Sequence, residues 1–349
     1  MRFVTASPEI KIQENIPLAP LTTLKVGGPA RFYTRPTSEE EIADAFDHAL
    51  RYGLDVFVLG GGSNILVSDR GFDGLVIHVG LKGIFADGPR ITANAGEDWD
   101  SLVMYCVDRE LAGVECLSGI PGFVGGTPVQ NVGAYGQEVS ESIVSVRCFD
   151  RESCSVVDLA NSDCGFKYRT SIFNSTEIGR YVVLSVKYEL IKNGEPKIAY
   201  KDLREHFGEH RPTLLETRNA VIEIRRKKSM VIDEGDPNSR SAGSFFKNPI
   251  VERSQYDSIA SASDDPVPHF PADDDRVKVP AAWLIERSGF HKGYRVGNAG
   301  ISTKHSLALV NLGGASAAEI IALKEKIQHA VNEKFDIILQ PEPIFVGFE

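Results

Sequence analysis

Apolar residues recur at helical spacing between positions 37 and 52. Ile42, Phe46, Ala49 and Leu50 make one face, Thr37 with Glu40 fits a capping box, and Gly53 stops the element. Residues 55–59 then read as a short buried strand that runs into Gly60-Gly61-Gly62-Ser63-Asn64. Strands are predicted at 75–79 and 91–95, and a helix at 99–111 with Gly113 just past its end. Residues 143–149 and 155–159 form a hairpin pattern across Asp150-Arg151-Glu152. In 181–190 strict alternation puts Val182, Leu184, Val186, Tyr188 and Leu190 on one face.

The texture changes near position 210. A helix follows His210-Arg211-Pro212, capped by Thr213 and Glu216, and ends in Arg225-Arg226-Lys227-Lys228. Residues 229–241 read as a polar loop, and the Asp-, Pro- and Ser-rich 254–279 as a surface insertion without periodicity. A short helix at 281–287, strands at 296–300 and 307–310, and a long amphipathic helix at 316–335 with a Ser316/Glu319 capping box come next. A last strand at 337–339 leads into Gln340-Pro341-Glu342-Pro343. Helices and strands mix without a regular βαβ repeat, so the fold class is α+β.

At 349 residues, two or three domains are expected. The net charge of −10 argues against nucleic acid as the main partner, because phosphate recognition needs a basic footprint. No apolar run approaches the length of a membrane span, and MRFVTASPEIKIQEN lacks the apolar core of a secretory leader, so a cytoplasmic protein is expected. The five cysteines, Cys106, Cys116, Cys148, Cys154 and Cys164, are odd in number and show no CxxC spacing. That excludes a disulfide framework and a zinc site. No HExxH occurs among the histidines, and no metal is expected.

One stretch stands apart. LSGIPGFVGGTPVQNVGAYGQ, residues 117–137, holds six glycines and two prolines and no charge. Such a backbone must turn sharply and approach something closely with its own N–H and C=O groups. A flat cofactor with a phosphate tail asks for that surface; a structural turn buried between domains is the other reading. The turn at residues 60–64 suits a diphosphate, which backbone N–H groups in a nest bind, or is simply a tight hairpin. It is neither a P-loop nor a dinucleotide fingerprint.

SGIPGFVGGTPVQNVGAYGQEV, residues 118–139, closely resembles the flavin-binding signature of the UDP-N-acetylenolpyruvoylglucosamine reductase family. VLGGGSNILV (58–67), YRTSIF (168–173) and SAGSFFKNP (241–249) resemble segments of the same family in the same order. The resemblance implies an FAD-binding domain of the PCMH/vanillyl-alcohol-oxidase type, with two α+β subdomains at 1–79 and 80–212. A C-terminal α+β substrate-binding domain would occupy 213–349, its last strand returning Glu342 to the active site. FAD would lie on Gly60, Gly61, Gly62, Ser63, Asn64 and Ile65, on Ser118, Gly119, Ile120, Gly125, Gly126, Asn131, Gly133, Ala134 and Tyr135, and on Val183.

The family reaction reduces an enolpyruvyl ether on a UDP-sugar. NADPH is the co-substrate, FAD passes a hydride from N5 to the vinyl carbon, and a proton goes to the neighbouring carbon. Arg169 matches the group that stabilises the developing charge, since a guanidinium binds carboxylate through two parallel bonds. Without the resemblance it reads as a surface ion-pair partner. Ser244 matches the proton donor, with Phe245 and Phe246 placed to exclude water; otherwise it is a loop serine capping a turn. Glu342 matches a residue that stabilises or protonates the enolate; otherwise it is an exposed Glu near the end of the chain. Here the sequence departs from the family's Pro-Glu-Val-Arg, reading Pro341-Glu342-Pro343-Ile344.

Tyr168, Lys228 and Asn248 match substrate contacts, and Tyr200 matches a Tyr that one subclass carries on a loop over the diphosphate. The plainer readings are a solvated cationic helix end for residues 225–228 and a half-buried aromatic for Tyr200. A nucleotide-sugar substrate, no membrane and a monomer are expected. The alternatives are an FAD-dependent oxidase or dehydrogenase of the same superfamily, and a nucleotide-sugar sensor without turnover. Many such oxidases tether FAD through a His, and only His48 and His78 precede the glycine stretch.

Overall fold

The chain forms two compact units. A computed structural model describes residues 10–272 and 274–348; most of the N-terminal stretch read for a leader, and Asp273 of the acidic segment, lie outside the described residues. Among those described, residues 10–17, 29–62 and 72–226 build the first unit, and 18–28, 63–71 and 227–348 the second.

Among the described residues the first unit holds two larger sheets and two two-stranded ladders. In the four-stranded one the order is Gln13–Pro17, Pro29–Thr34, Phe72–His78, Val56–Leu59. Pro29–Thr34 and Val56–Leu59 both run parallel to Phe72–His78, so the chain must cross over between them, and helix Glu39–Tyr52 does so. Its Ala45 and Ala49 pack on Leu75 and Ile77. The cap sits one residue later than the spacing predicts. Ser38 Oγ accepts from the Glu41 N–H, while Glu41 reaches back to the Thr37 N–H and hydroxyl. Leu50 is 79% exposed, because the buried stripe is Ile42, Ala45 and Ala49 and Leu50 lies one helical step beyond it.

The five-stranded antiparallel sheet runs Ser155–Ala160, Ile143–Asp150, Tyr181–Glu189, Arg90–Asn94, Ile84–Asp87. The expected hairpin and the alternating strand are both present. Val182, Leu184, Val186 and Tyr188 are buried, and so are Val183 and Ser185 on the opposite face. Helix Trp99–Val107 is shorter than predicted: Glu110 turns with φ +54°, and Leu111–Ala112 leaves to pair with Ile191–Lys192. A seven-residue helix, Lys201–Phe207, was not legible from periodicity.

The second unit is built on helix Ala317–Phe335, with the predicted Ser316/Glu319 box and Ile320, Leu323, Ile327 and Val331 facing its core. Asp69 accepts from the Ala317 and Ala318 N–H groups at 2.7 and 3.0 Å, the acidic charge that a helix start favours. Three expectations change. Residues 254–279 are no mere surface insertion: Arg253–Ser261 is helical, Arg276–Lys278 pairs with Ile250–Glu252, and Tyr256, Ile259, Val267 and Val277 enter the core. The strand predicted at 296–300 is a hairpin, Arg295–Val296 with Ala299–Ile301. The last strand is Ile344–Val346, parallel to Ile65–Val67, whereas 337–339 is irregular chain with Ile337 and Leu339 buried.

His78 is a buried titratable group of the first unit. Its Nδ1 lies 2.7 Å from the Tyr33 hydroxyl, and its ring stacks on Phe123 of the glycine stretch at 5.8 Å. Burial, then the charge of Arg35, lowers its pKa from 6.5 to about 4. The folded chain therefore holds His78 neutral, whereas the unfolded chain protonates it below pH 6.5. Its contribution is complete above pH 6.5 and is lost as pH falls towards 4, by about 3 kcal/mol in all. Urea unfolding at pH 7 and 4.5 measures this. The loss is expected in the parent chain and largely absent in His78→Gln; equal losses in both would remove His78 as the cause.

Candidate active site

Residues 117–137 fold as backbone turns. Helical turns at Glu115–Leu117 and Val124–Gly126 precede a two-residue ladder, Gly133–Ala134 with Gln137–Glu138. The glycines are of two kinds. A Cβ on Gly61 would sit 2.6 Å from Gly122 Cα, and one on Gly125 2.7 Å from Ala95 Cβ, so these glycines allow close packing. A Cβ on Gly60 or Gly126 would meet nothing within 4 Å. There the bare backbone faces open space, as a cradle for a flat ligand with a phosphate tail requires. The residues therefore fit a flavin.

Side chains around this stretch fasten it. The Trp99 Nε1–H donates to Leu117 O at 3.0 Å. Glu115, 1% exposed, accepts from the Gly113 N–H, the Lys197 N–H and Gln137 Nε2. Ser118 donates its hydroxyl proton to Glu115 O at 2.6 Å. Asn131 Nδ2 donates to Glu138 and to Lys167 O, and its Oδ1 accepts from the Ser140 N–H. Ser118 and Asn131 thus hold the loop with their side chains, Val183 is buried in the sheet, and Ile120 packs on the core. Tyr135, at φ +50°, meets the Tyr200 ring edge-on at 5.5 Å, and Gly136 lies against Ala199. Tyr200 is 40% exposed at the start of the short helix.

Arg169 stands on a tight turn. Lys167 and Thr170 exchange backbone bonds of 2.9 and 3.0 Å, which places Arg169 at φ +54°, a conformation that costs a non-glycine residue about 1 kcal/mol. Its Nη2 donates to Gly133 O at 2.7 Å, and its guanidinium lies 5.4 Å from the Tyr168 ring centre. The first unit thereby gathers Tyr168, Arg169, Gly133 and the ladder that carries Ala134.

The second unit gathers Ser244, Glu342 and Asn64. Glu342 donates its N–H to Phe245 O at 2.9 Å, and Phe246 pairs with Pro341. Asn64 Nδ2 donates to Glu342 O at 3.2 Å, and Asn64 O accepts from the Ile344 N–H. The departure at Pro343-Ile344 is absorbed there: Ile344 begins the strand against Ile65. Ser244 follows Gly243, at φ +75°, and is half-buried. Phe245 and Phe246 are wholly buried in the core and anchor the Ser244 loop.

Asn248 Oδ1 accepts from the Ala281 N–H at the start of helix Ala281–Arg287. Lys228 precedes Ser229, whose hydroxyl donates to Asp236; Asn238 and Lys304 bind the same carboxylate. Burial would push Asp236 up, but those bonds hold it far below the usual carboxylate range. Arg169, Tyr168 and Tyr200 belong to the first unit, as do Gly60–Gly62, while Ser63–Ile65 and Lys228 belong to the second. Among the described residues no cluster of three or more His, Cys, Asp or Glu could hold a metal.

Sequence reasoning missed three charged residues of the first unit. Arg218 and Arg225 are each 7% exposed, and Asp100 pairs with Arg218. The signal was present: with Leu214 and Val221 the two arginines continue the 4-3-4 spacing of the buried face of helix Leu214–Lys227.

Residues 30–160 match the family model of an FAD binding domain, and residues 236–346 that of the UDP-N-acetylenolpyruvoylglucosamine reductase C-terminal domain. A UDP-N-acetylenolpyruvoylglucosamine reductase of Thermobifida fusca (strain YX) is 44% identical over 95% of this chain and 97% of that relative. The Streptomyces coelicolor protein of that name is 44% identical over 95% and 89%. Among solved structures, the reductase of Thermus caldophilus is similar with a TM-score of 0.68 and 26% identity, covering 97% of this chain and 99% of its own.

Alanine at the neighbouring glycines separates packing from binding. Gly61→Ala is expected to cost about 1–3 kcal/mol of stability by overpacking against Gly122. Gly60→Ala is expected to unfold like the parent yet to weaken flavin binding, read by fluorescence titration. Unchanged flavin affinity in Gly60→Ala would remove that face as a binding surface.

Proposed function

Because the chain belongs to the UDP-N-acetylenolpyruvoylglucosamine reductase family, we propose that it reduces UDP-N-acetylglucosamine enolpyruvate to UDP-N-acetylmuramate, a peptidoglycan precursor, with FAD bound and NADPH as co-substrate. When bound, FAD supplies the redox chemistry, relaying a hydride from NADPH to the terminal vinyl carbon. The observation that carries the reading is the pairing of the Ser244 loop with the chain at Glu342 through the Glu342 N–H and Phe245 O.

The chain's own residues bind, polarise and protonate. Arg169 receives the substrate carboxylate, on which negative charge grows as the vinyl carbon gains its hydride. The Ser244 hydroxyl gives a proton to the adjacent carbon and regains one from solvent; Glu342 stabilises or protonates the same enolate. The product has gained one hydride and one proton. Tyr168, Lys228, Asn248 and Tyr200 hold the nucleotide sugar. Gly60–Ile65 and the backbone of residues 118–135 would hold FAD. Residues 1–79 and 80–212 serve as flavin-binding subdomains and 213–349 as the substrate-binding domain, except that 18–28 and 63–71 fold into the second unit and 213–226 into the first. The protein acts as a cytoplasmic monomer; among the described residues no helix is long and apolar enough to cross a membrane.

The oxidase alternative gives way to the reductase reading, since the chain belongs to the reductase family along nearly its whole length. A sensor would bind the nucleotide sugar without consuming NADPH. The purified protein is expected to be yellow and to oxidise NADPH only when the enolpyruvyl nucleotide is present; a colourless preparation, or oxidation indifferent to that nucleotide, would overturn the proposal. Ser244→Ala is expected to leave flavin reduction by NADPH near normal while slowing substrate reduction by roughly 10²–10⁴-fold. Equal slowing of both halves would end the proton-donor role. Arg169→Lys loses two-point carboxylate recognition and is expected to lower kcat about 10²-fold; near-normal turnover would take Arg169 out of the site.

A further inference from the structure

The N–H and the C=O of Gly119 are both held by charged side chains. Asp100, on helix Trp99–Val107, accepts the Gly119 N–H at 2.6 Å. Arg218, on helix Leu214–Lys227, grips that carboxylate through two bonds of 2.6 and 2.7 Å. Two helical turns later, Arg225 donates its Nε–H to Gly119 O at 3.2 Å and hydrogen-bonds the Tyr135 side chain. Gly119 itself stands at φ +69°, a conformation glycine adopts without strain.

We propose that Asp100, Arg218 and Arg225 are positioning residues that set the two ends of the glycine stretch, Gly119 and Tyr135, in register for the cofactor. The proposal rests on the flavin reading above. Both guanidinium groups come from one buried face of one helix, so the loop ends are referenced to a rigid element rather than to each other. Stability alone does not call for this arrangement: a buried ion pair often gains little over apolar side chains of the same size. What it supplies is direction, because a guanidinium fork and a carboxylate fix both polar groups of one residue. Burial would push the Asp100 carboxyl up; the bonds from Arg218 and the Gly119 N–H outweigh it and hold Asp100 ionised below the usual carboxylate range.

Arg225→Lys keeps the charge and loses the Nε–H directed at Gly119; Asp100→Asn keeps the shape and loses the pairing with Arg218. Each variant is prepared flavin-free, its fold checked by circular dichroism, and titrated with FAD. In a folded variant the FAD dissociation constant is expected to rise at least about tenfold, as for partners standing behind a direct contact, and the visible flavin spectrum to shift. Arg218→Lys is expected to bind FAD more tightly than Arg218→Met. A folded Arg225→Lys or Asp100→Asn with FAD affinity and spectrum matching the parent overturns the clamp. Hydrogen exchange on the flavin-free parent needs no variant: a Gly119 amide protected before FAD is added is expected, and exchange at the rate of an open loop overturns the clamp. Failure of the parent itself to bind FAD would instead overturn the flavin reading.

Discussion

A binding surface made of glycine backbone has no side chains with which to fix itself. Everything that gives residues 117–137 a definite shape must come from outside them or from their few polar members. Trp99 holds the first carbonyl, Glu115 ties together residues 113, 137 and 197, and Asn131 spans to Glu138 and Lys167. Buried polar groups of this kind are costly unless fully partnered, and here each named group has partners. The stretch is densely held by these partners, and at Gly126 its backbone still faces open space.

The same logic recurs at the groups proposed for chemistry. Arg169 is placed by a left-handed turn and by Gly133 O, so the guanidinium and the loop are set by one contact. In the second unit Glu342 is set through its backbone, by Phe245 O and Asn64 Nδ2, which leaves the carboxylate out of those bonds. Phe245 and Phe246, buried edge-to-face at 5.5 Å, pin the loop that bears Ser244. The side chains proposed for chemistry stand on backbone fixed elsewhere, as preorganised charge stabilisation requires.

Local signals in the sequence translated well. The Ser316/Glu319 box, the hairpin across residues 150–152 and the alternation of residues 182–188 depend on neighbours within a few positions, and all three formed. What failed depended on distant partners. Leu50 needed the sheet's position to be placed, residues 254–279 hid a Tyr256–Ile259 pair among polar neighbours, and residues 337–339 looked like a strand but had no strand to pair with. At the candidate site, motifs marked the glycine turns, Arg169, Ser244 and Glu342. They gave no sign that Ser118 and Asn131 hold the loop with their side chains, or that Asp100, Arg218 and Arg225 stand behind it, because such support follows from packing rather than from spacing.

The central claim is that backbone amides of the glycine turns, fixed from behind, are the surface a flavin meets. Amide nitrogen and proton chemical shifts, recorded on the flavin-free protein as FAD is added, test it most directly. The account expects the largest shifts at residues 60–62 and 118–135, with the long helix Ala317–Phe335 nearly silent. Saturable FAD binding that leaves those amides unmoved and shifts others would contradict it.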